Sequence, residues 1–299
     1  MNPRIFFSFA AIYLIWGSTY LAAYFGLGSI PPYLLGAIRY AVAGLVLLIW
    51  CVAAKFPFPD KKTISVNAVG GVLMLVGGSG SVLWAQQYLS SGLAAILVSA
   101  LPVWFVVLDK KEWPVYFKSR LIITGVVLGF AGIVLLFGAN LNNTVTDTSA
   151  YRKLLAIGVI IAGTISWTIG SLYVKYNSPP HNVTVGAGIQ LLAAGLICFF
   201  ISPLLDNLQA FSFSQVSLPA WLALAYLTVF GSVITYMAYM YLLSVRPAAQ
   251  VGTHAYVNPV IAVILGVLFA NEVIGALQIS ALVIILASVL LVNMASYRK

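Results

Sequence analysis

Charge is what this chain has least of. Only 7% of its 299 residues are charged, and six of those are acidic, whereas soluble domains carry about 25% charged residues. With 62% hydrophobic residues and a mean hydropathy of +1.04, a water-soluble single core is excluded. Histidine and cysteine are scarce too, at two each. His181 and His254 are distant in sequence, as are Cys51 and Cys198, so neither a metal site nor a disulfide framework is indicated. No H-E-x-x-H, G-x-S-x-G or P-loop occurs. An intramembrane hydrolase and an ATP-driven pump therefore lack support, and no cofactor is implied. Long polar stretches are missing as well. The longest connectors, "ANLNNTVTDTSAYRK" and "LDNLQAFSFSQVSLP", are too short to form a soluble domain, so the chemistry has to lie between helices.

What is present is a succession of apolar runs of about 18 to 22 residues, enough at 1.5 Å per residue to cross a hydrocarbon layer of about 30 Å. Ten spans are expected, at 5–25, 33–54, 66–88, 91–108, 120–138, 153–174, 183–204, 220–243, 248–269 and 274–296. The fold class is an all-α membrane protein, multi-pass in the cell membrane. The first run, behind Arg4, exceeds the 7 to 15 residues of a signal-peptide core, which favours a span over a cleaved leader.

Basic residues set the expected faces. With the N-terminus inside, twelve of the fifteen fall on inner segments, from Arg4 through Lys61, Lys62, Lys110, Lys111 and Lys175 to Lys299; only Arg152 and Lys153 fall outside. The positive-inside rule then puts both termini in the cytoplasm. The net charge of +9 is a topology signal and not an affinity for nucleic acid. Cys51 lies near the inner face and Cys198 deeper. The glycosylation-like triplets at Asn142 and Asn182 fall on opposite sides, so chance explains them better.

The chain repeats itself. "AIRYAVAGL" from Ala37 and "GIQLLAAGL" from Gly188 match at a shift of 151, which also carries Trp16 of "IWGSTY" onto Trp167 of "SWTIGSLY". Gly78-Ser79 meets Gly231-Ser232 at 153, and Pro102 meets Pro259 at 157. Two five-span repeats are expected, over residues 1–140 and 150–299. Because five is odd, the second copy must lie inverted relative to the first, the architecture of secondary transporters around a central cavity.

"IWGSTY", "PPYLLGAIRY", "SWTIGSLY" and "YVNPVIAVILGVLFANE" resemble the EamA-type transporters of the drug/metabolite transporter superfamily, over nearly the whole chain. The resemblance implies ten helices around a cavity that moves small metabolites such as amino acids, often outward across a cell inner membrane by alternating access. It also admits protons as coupling ion and a monomer or weak dimer. One departure is "LDKKEWP", with Asp109 and Glu112, where the family has Gly-Glu after the fourth span.

The candidate site follows from polar and aromatic residues inside spans. Arg39 sits about seven residues into the second span, roughly 10 Å deep at 1.5 Å per residue. It can snorkel to the outer interface, or face a polar interior and fork onto a substrate carboxylate. Its mirrored position holds Gln190, also long and polar, which favours a shared interior. His254 and Asn258, at i and i+4 with Tyr256 close by, can bind substrate, relay a proton or simply join helices. Trp16 and Trp167 are candidate cavity walls. Pro102 and Pro259 are candidate hinges, each leaving a carbonyl four residues back, on Val98 and Ala255, without its helical partner. Gly125-x-x-x-Gly129 permits close helix packing, internal rather than between molecules, and Glu272 suits the start of the last span. Three function classes remain: a secondary transporter, favoured by the repeat; a channel, which needs a continuous polar lining; and a membrane scaffold, which has no use for mirrored prolines.

Overall fold

The computed structural model describes residues 2–57, 59–89, 94, 97–138, 150–270 and 275–295; Glu272 and the triplet at Asn142 lie outside them. All regular elements among the described residues are helical. They are α1 (Pro3–Leu27), α2 (Pro32–Ala53), α3 (Lys61–Ala85), a short α4 (Leu101–Leu108), α5 (Trp113–Tyr116), α6 (Arg120–Gly138), α7 (Ala150–Asn177), α8 (Val183–Leu205), α9 (Leu218–Val245), α10 (Ala248–Gly252), α11 (His254–Ala270) and α12 (Ala276–Ala295). Six of these, α1, α2, α3, α7, α8 and α9, are each long and apolar enough to cross a membrane. The remaining expected spans fall on α4, on α6, on α10 with α11, and on α12.

The helix starts follow local chemistry. Asn2, Asp60, Asn182 and Ser217 each accept a backbone N–H of the helix that follows, on Arg4, Thr63, Thr184 and Ala220, a cap worth about 1 kcal/mol apiece. The Asn182 triplet is thus a helix start. Asp206, just past the end of α8, takes the N–H groups of Tyr33 and Leu34 at 3.2 and 2.8 Å, placing a carboxylate on the first turn of α2, where the helix dipole favours it.

The two halves pack with the symmetry of the repeat. α2 lies along α8, α6 along α12, and α3 along α7; α1 lies against α9 and α11, and α4 against α7. Exchanging the halves sends α2·α8 and α6·α12 onto themselves, α3·α7 onto α9·α1, and α1·α11 onto α7·α4. The α2·α8 crossing shows the relation residue by residue. A Cβ on Gly44 would strike the backbone of Leu192, and one on Gly195 would strike the backbone of Ala41; both pairs are related by the 151-residue shift read from the sequence. Gly125, Gly129 and Gly132 do the same work against Ser288, Val292 and Ile285 of α12, so the small-residue stripe is an internal contact.

Two further features are mirrored. Val72–Gly80 of α3 and Leu227–Ile234 of α9 are wound as π-helix, a winding that frees backbone and recurs at functional sites. Each contains one of the repeated Gly-Ser pairs. Each proline-bearing helix is also interrupted before its proline. Ser99 and Ala100 form a turn ahead of α4, and Thr253 separates α10 from α11. Pro102 stands in the first turn of α4, where its missing N–H costs no helical hydrogen bond, whereas Pro259 is inside α11.

Candidate functional site

Between the halves lies a cavity of about 120 Å³, walled by α1, α2, α3, α4, α7, α8, α9 and α11. This is somewhat smaller than the apolar hole of about 150 Å³ that holds benzene. The cavity extends from Trp16 and Trp167 toward the bundle end marked by Ala23 and Gln86, near the C-terminal ends of α1 and α3.

Arg39 projects into it and is only 8% exposed. Its Nε donates to Ser232 Oγ at 2.7 Å, and its guanidinium carbon stands 5.1 Å from the Tyr40 ring. The guanidinium also lies where a side chain on Gly231 would be, so the π-wound Gly-Ser pair on α9 supplies both its space and its acceptor. The next residue repeats the arrangement on the other wall, Tyr40 Oη donating to Ser79 Oγ at 2.8 Å. Adjacent residues of α2 thus reach the mirrored serines of α9 and α3. Guanidinium has five N–H donors, and the Ser232 bond uses one. Asp60, Asp109 and Asp206 are engaged elsewhere, Asp109 by Tyr116 and Tyr176. No carboxylate among the described residues is bonded to Arg39.

Below it lies an aromatic floor. Trp16 and Trp167, equivalent in the repeat, meet edge to face with centroids 5.7 Å apart, and Tyr239 leans on both, at 5.2 and 5.4 Å. Hydrogen bonds lock the rings: Trp167 Nε1 donates to Tyr239 Oη at 2.9 Å, and Trp16 Nε1 to the Gly231 carbonyl at 3.0 Å. His254 packs against Trp16 with the rings tilted by 57° and centroids 4.9 Å apart. Its Nδ1 is 2.9 Å from the Val251 carbonyl, which can only accept; Nδ1 therefore carries the hydrogen, and Nε2 is left as the second polar atom of the ring. In the amide orientation that satisfies its surroundings, Asn258 donates to the carbonyls of Ile12 and His254, at 3.1 and 3.0 Å. It thereby fastens α11 to α1 beside the cavity.

Of the residues singled out in the sequence, Arg39, Trp16, Trp167, His254 and Asn258 line this one cavity, and Gln190 and Tyr256 do not. Tyr256 donates to the Val126 carbonyl at 2.8 Å, among α6 and α12. Gln190 is fully buried between Tyr236 and Asn67. In the sequence Ser232 stands out only as part of the repeat, and Tyr236 and Tyr239 only as aromatics within a span, so none of the three is a site candidate there. The repeated Gly-Ser pair was the available signal for the first; the tyrosines had none beyond lying one turn apart in a span.

The sequence matches the EamA-like transporter family over residues 4–138 and again over 154–294. It is 33% identical over 304 residues to the uncharacterized inner membrane transporter YedA of Escherichia coli (strain K12), covering 98% of this chain and 92% of that protein. It is 25% identical over 289 residues to the uncharacterized transporter YvbV of Bacillus subtilis (strain 168), with 96% and 90% covered. It is also 25% identical over 289 residues to the WAT1-related protein At3g02690, chloroplastic, of Arabidopsis thaliana, with 94% and 67% covered. A crystal structure superposes with a TM-score of 0.76 over 99% of both chains at 20% identity, a likeness of fold alone.

Proposed function

The chain belongs to the EamA-like transporter family, a multi-pass membrane transporter of small molecules, and from that premise we propose that it exports carboxylate-bearing metabolites such as amino acids by alternating access. The observation that carries this reading is the Arg39 guanidinium, buried in the cavity wall with a neutral serine as its hydrogen-bond partner. A buried cation without a counter-charge is costly. A substrate carboxylate would satisfy it with two parallel bonds. The aromatic floor suits an apolar or aromatic remainder of the same molecule, and the Trp16–Trp167–Tyr239 cluster gives that end of the cavity a closed bottom. A stoppered cavity speaks for alternating access over a channel.

The charge distribution supports cytoplasmic termini, and the name of the Escherichia coli relative supports an inner membrane. With that orientation the cavity faces outward, the two inverted halves exchange roles between states, and Pro102 and Pro259, each behind an interruption of its helix, serve as hinges. Nε2 of His254, at the floor, is the group we assign to proton coupling. The test is counterflow in proteoliposomes loaded with unlabelled amino acids. A carrier exchanges labelled for unlabelled substrate and concentrates the label transiently; equilibration without an overshoot means a channel, and no movement of any amino acid refutes the substrate class.

A further inference from the structure

A second cavity, of about 190 Å³, lies on the other side of Gln190 and is bordered by Lys175, Ser178, His181 and Ser244. Gln190 borders it, while the next residue, Leu191, borders the Arg39 cavity. Met240 borders it, while Tyr236, one turn earlier on α9, borders the Arg39 cavity. A single layer of side chains therefore divides the two. Its polar groups are joined in a line: Tyr236 Oη donates to Gln190 Oε1 at 2.6 Å, Gln190 Nε2 to Asn67 Oδ1 at 2.6 Å, and Asn67 Nδ2 to Ser178 Oγ at 2.9 Å. The backbones of α3 and α8 touch here, since a side chain on Gly71 would run into the main chain of Gln190.

The far cavity has its own charge. Lys175 Nζ donates to the carbonyls of Leu243 and Arg246 at 2.6 and 2.7 Å, the last turn of α9, and an ammonium has three donors. His181 Nδ1 is 2.7 Å from the Pro179 carbonyl, so it too donates, and its other nitrogen lies over Gly186 beside Asn67. Among the described residues no acid borders the cavity. The carboxylates of Asp109 and Glu112 act on Lys175 as opposite charges from a distance, but neither bonds to its Nζ, whose partners are the two carbonyls.

We propose that the Lys175 cavity is a second binding site for the carboxylate of the transported molecule, at the mouth opposite the Arg39 site, with the Tyr236–Gln190–Asn67 layer as the barrier between them. This rests on the carboxylate reading of the Arg39 cavity and extends it along the path. Arg39 and Gln190 occupy equivalent places in the two halves, so the half that lines a cavity in one state closes it in the other. In this structure Arg39 lines and Gln190 closes; in the alternate state the line of hydrogen bonds at Gln190 parts and substrate passes between Arg39 and Lys175.

The test reads the local charge directly and needs no knowledge of the substrate. Ser244→Cys is introduced into the full chain with Cys51→Ala and Cys198→Ala, in nanodiscs so that both faces are open. The new thiol is reacted with sulfonatoethyl or trimethylammonioethyl methanethiosulfonate, each rate being normalised to a free thiol. The anionic reagent is expected to react faster by about threefold or more, since a cation a few ångströms away is worth about 1 kcal/mol even in a water-like medium and Lys175 is the nearest full charge bordering the cavity. The preference should vanish in Lys175→Met and persist in Lys175→Arg, and acetate should slow the anionic reagent in the parent. A parent ratio at or below one overturns the proposal, and that ratio stands even if the methionine variant fails to fold. A ratio unchanged in folded Lys175→Met overturns it as well. Arg39→Ala should leave the ratio alone, so a failure of the Arg39 reading and a failure of this one are told apart.

Discussion

Tyr236→Phe should loosen the layer beneath the Arg39 cavity without removing anything else. The substitution deletes one hydroxyl and leaves the ring, which packs against Trp167 and Tyr239 with centroids 6.4 and 6.3 Å away. It takes from Gln190 Oε1 its 2.6 Å donor, in a residue that is 0% exposed. In water-soluble proteins an orphaned buried acceptor costs about 1–3 kcal/mol. Between membrane helices the measured values are smaller, averaging about 0.6 kcal/mol with an upper end near 1.7, and these apply here. The bond exists only while the layer is closed, so its loss should raise the population open toward Lys175 by about threefold to about sixteenfold, at 1.4 kcal/mol per factor of ten. The assay follows that minor population. Ser79→Cys, in the wall of the Arg39 cavity, is labelled by an impermeant maleimide from the face bearing Lys175, in otherwise cysteine-free protein. The rate should rise by that factor on adding Tyr236→Phe, and Gln190→Ala, which breaks both bonds of the layer, should raise it further. Equal labelling with and without Tyr236→Phe would mean that the layer is packing and not a barrier.

Pro102→Ala and Pro259→Ala should insert normally and transport more slowly, since the first lets the helix heal across the turn at Ser99 and Ala100 and the second restores a donor to the Ala255 carbonyl inside α11; unchanged turnover in both would reduce the prolines to packing. Gly195→Leu should lower thermal stability markedly, because α8 would be forced off the Ala41 backbone, and overpacking alone costs about 1–3 kcal/mol; a melting temperature equal to the parent's in a scanning-fluorimetry trace would contradict the close crossing. Reporter fusions after Lys62, Arg120 and Lys299 should read as cytoplasmic and those near Asn143 and Asn207 as external, and an external C-terminus would overturn the orientation.

Much of the fold was legible because the bilayer asks little of a sequence beyond apolar length. The 151-residue shift, visible as Ala-Gly-Leu in both halves, reappears as the reciprocal contacts of Gly44 with Leu192 and Gly195 with Ala41. The mirrored π-windings were not legible. A change from i−4 to i−5 backbone bonding, followed by the side-chain hydroxyls of Ser232 and Thr235, which donate to the carbonyls five residues back on Leu227 and Phe230 at 3.1 and 2.7 Å, leaves the apolar pattern intact. Site residues separated along the same line. Hydropathy says that a polar residue avoids lipid but not which interior space it meets, so Arg39 and Gln190, equivalent by sequence, border different cavities. Tyr256 stands close to His254 and Asn258 in the chain, yet two positions along a helix is just over a half-turn, and its ring points to Gly129 of α6.

The central claim is that Arg39 holds the substrate's carboxylate. Uptake of labelled amino acids into proteoliposomes, at equal amounts of correctly inserted protein, compares the parent with Arg39→Ala and Arg39→Lys. Charge-assisted hydrogen bonds are worth about 1.5–3 kcal/mol, so Arg39→Ala should lose about tenfold to a hundredfold in transport, and Arg39→Lys, which keeps the charge but not the two-pronged fork, should retain a part of it. Full transport by inserted Arg39→Ala would contradict the account.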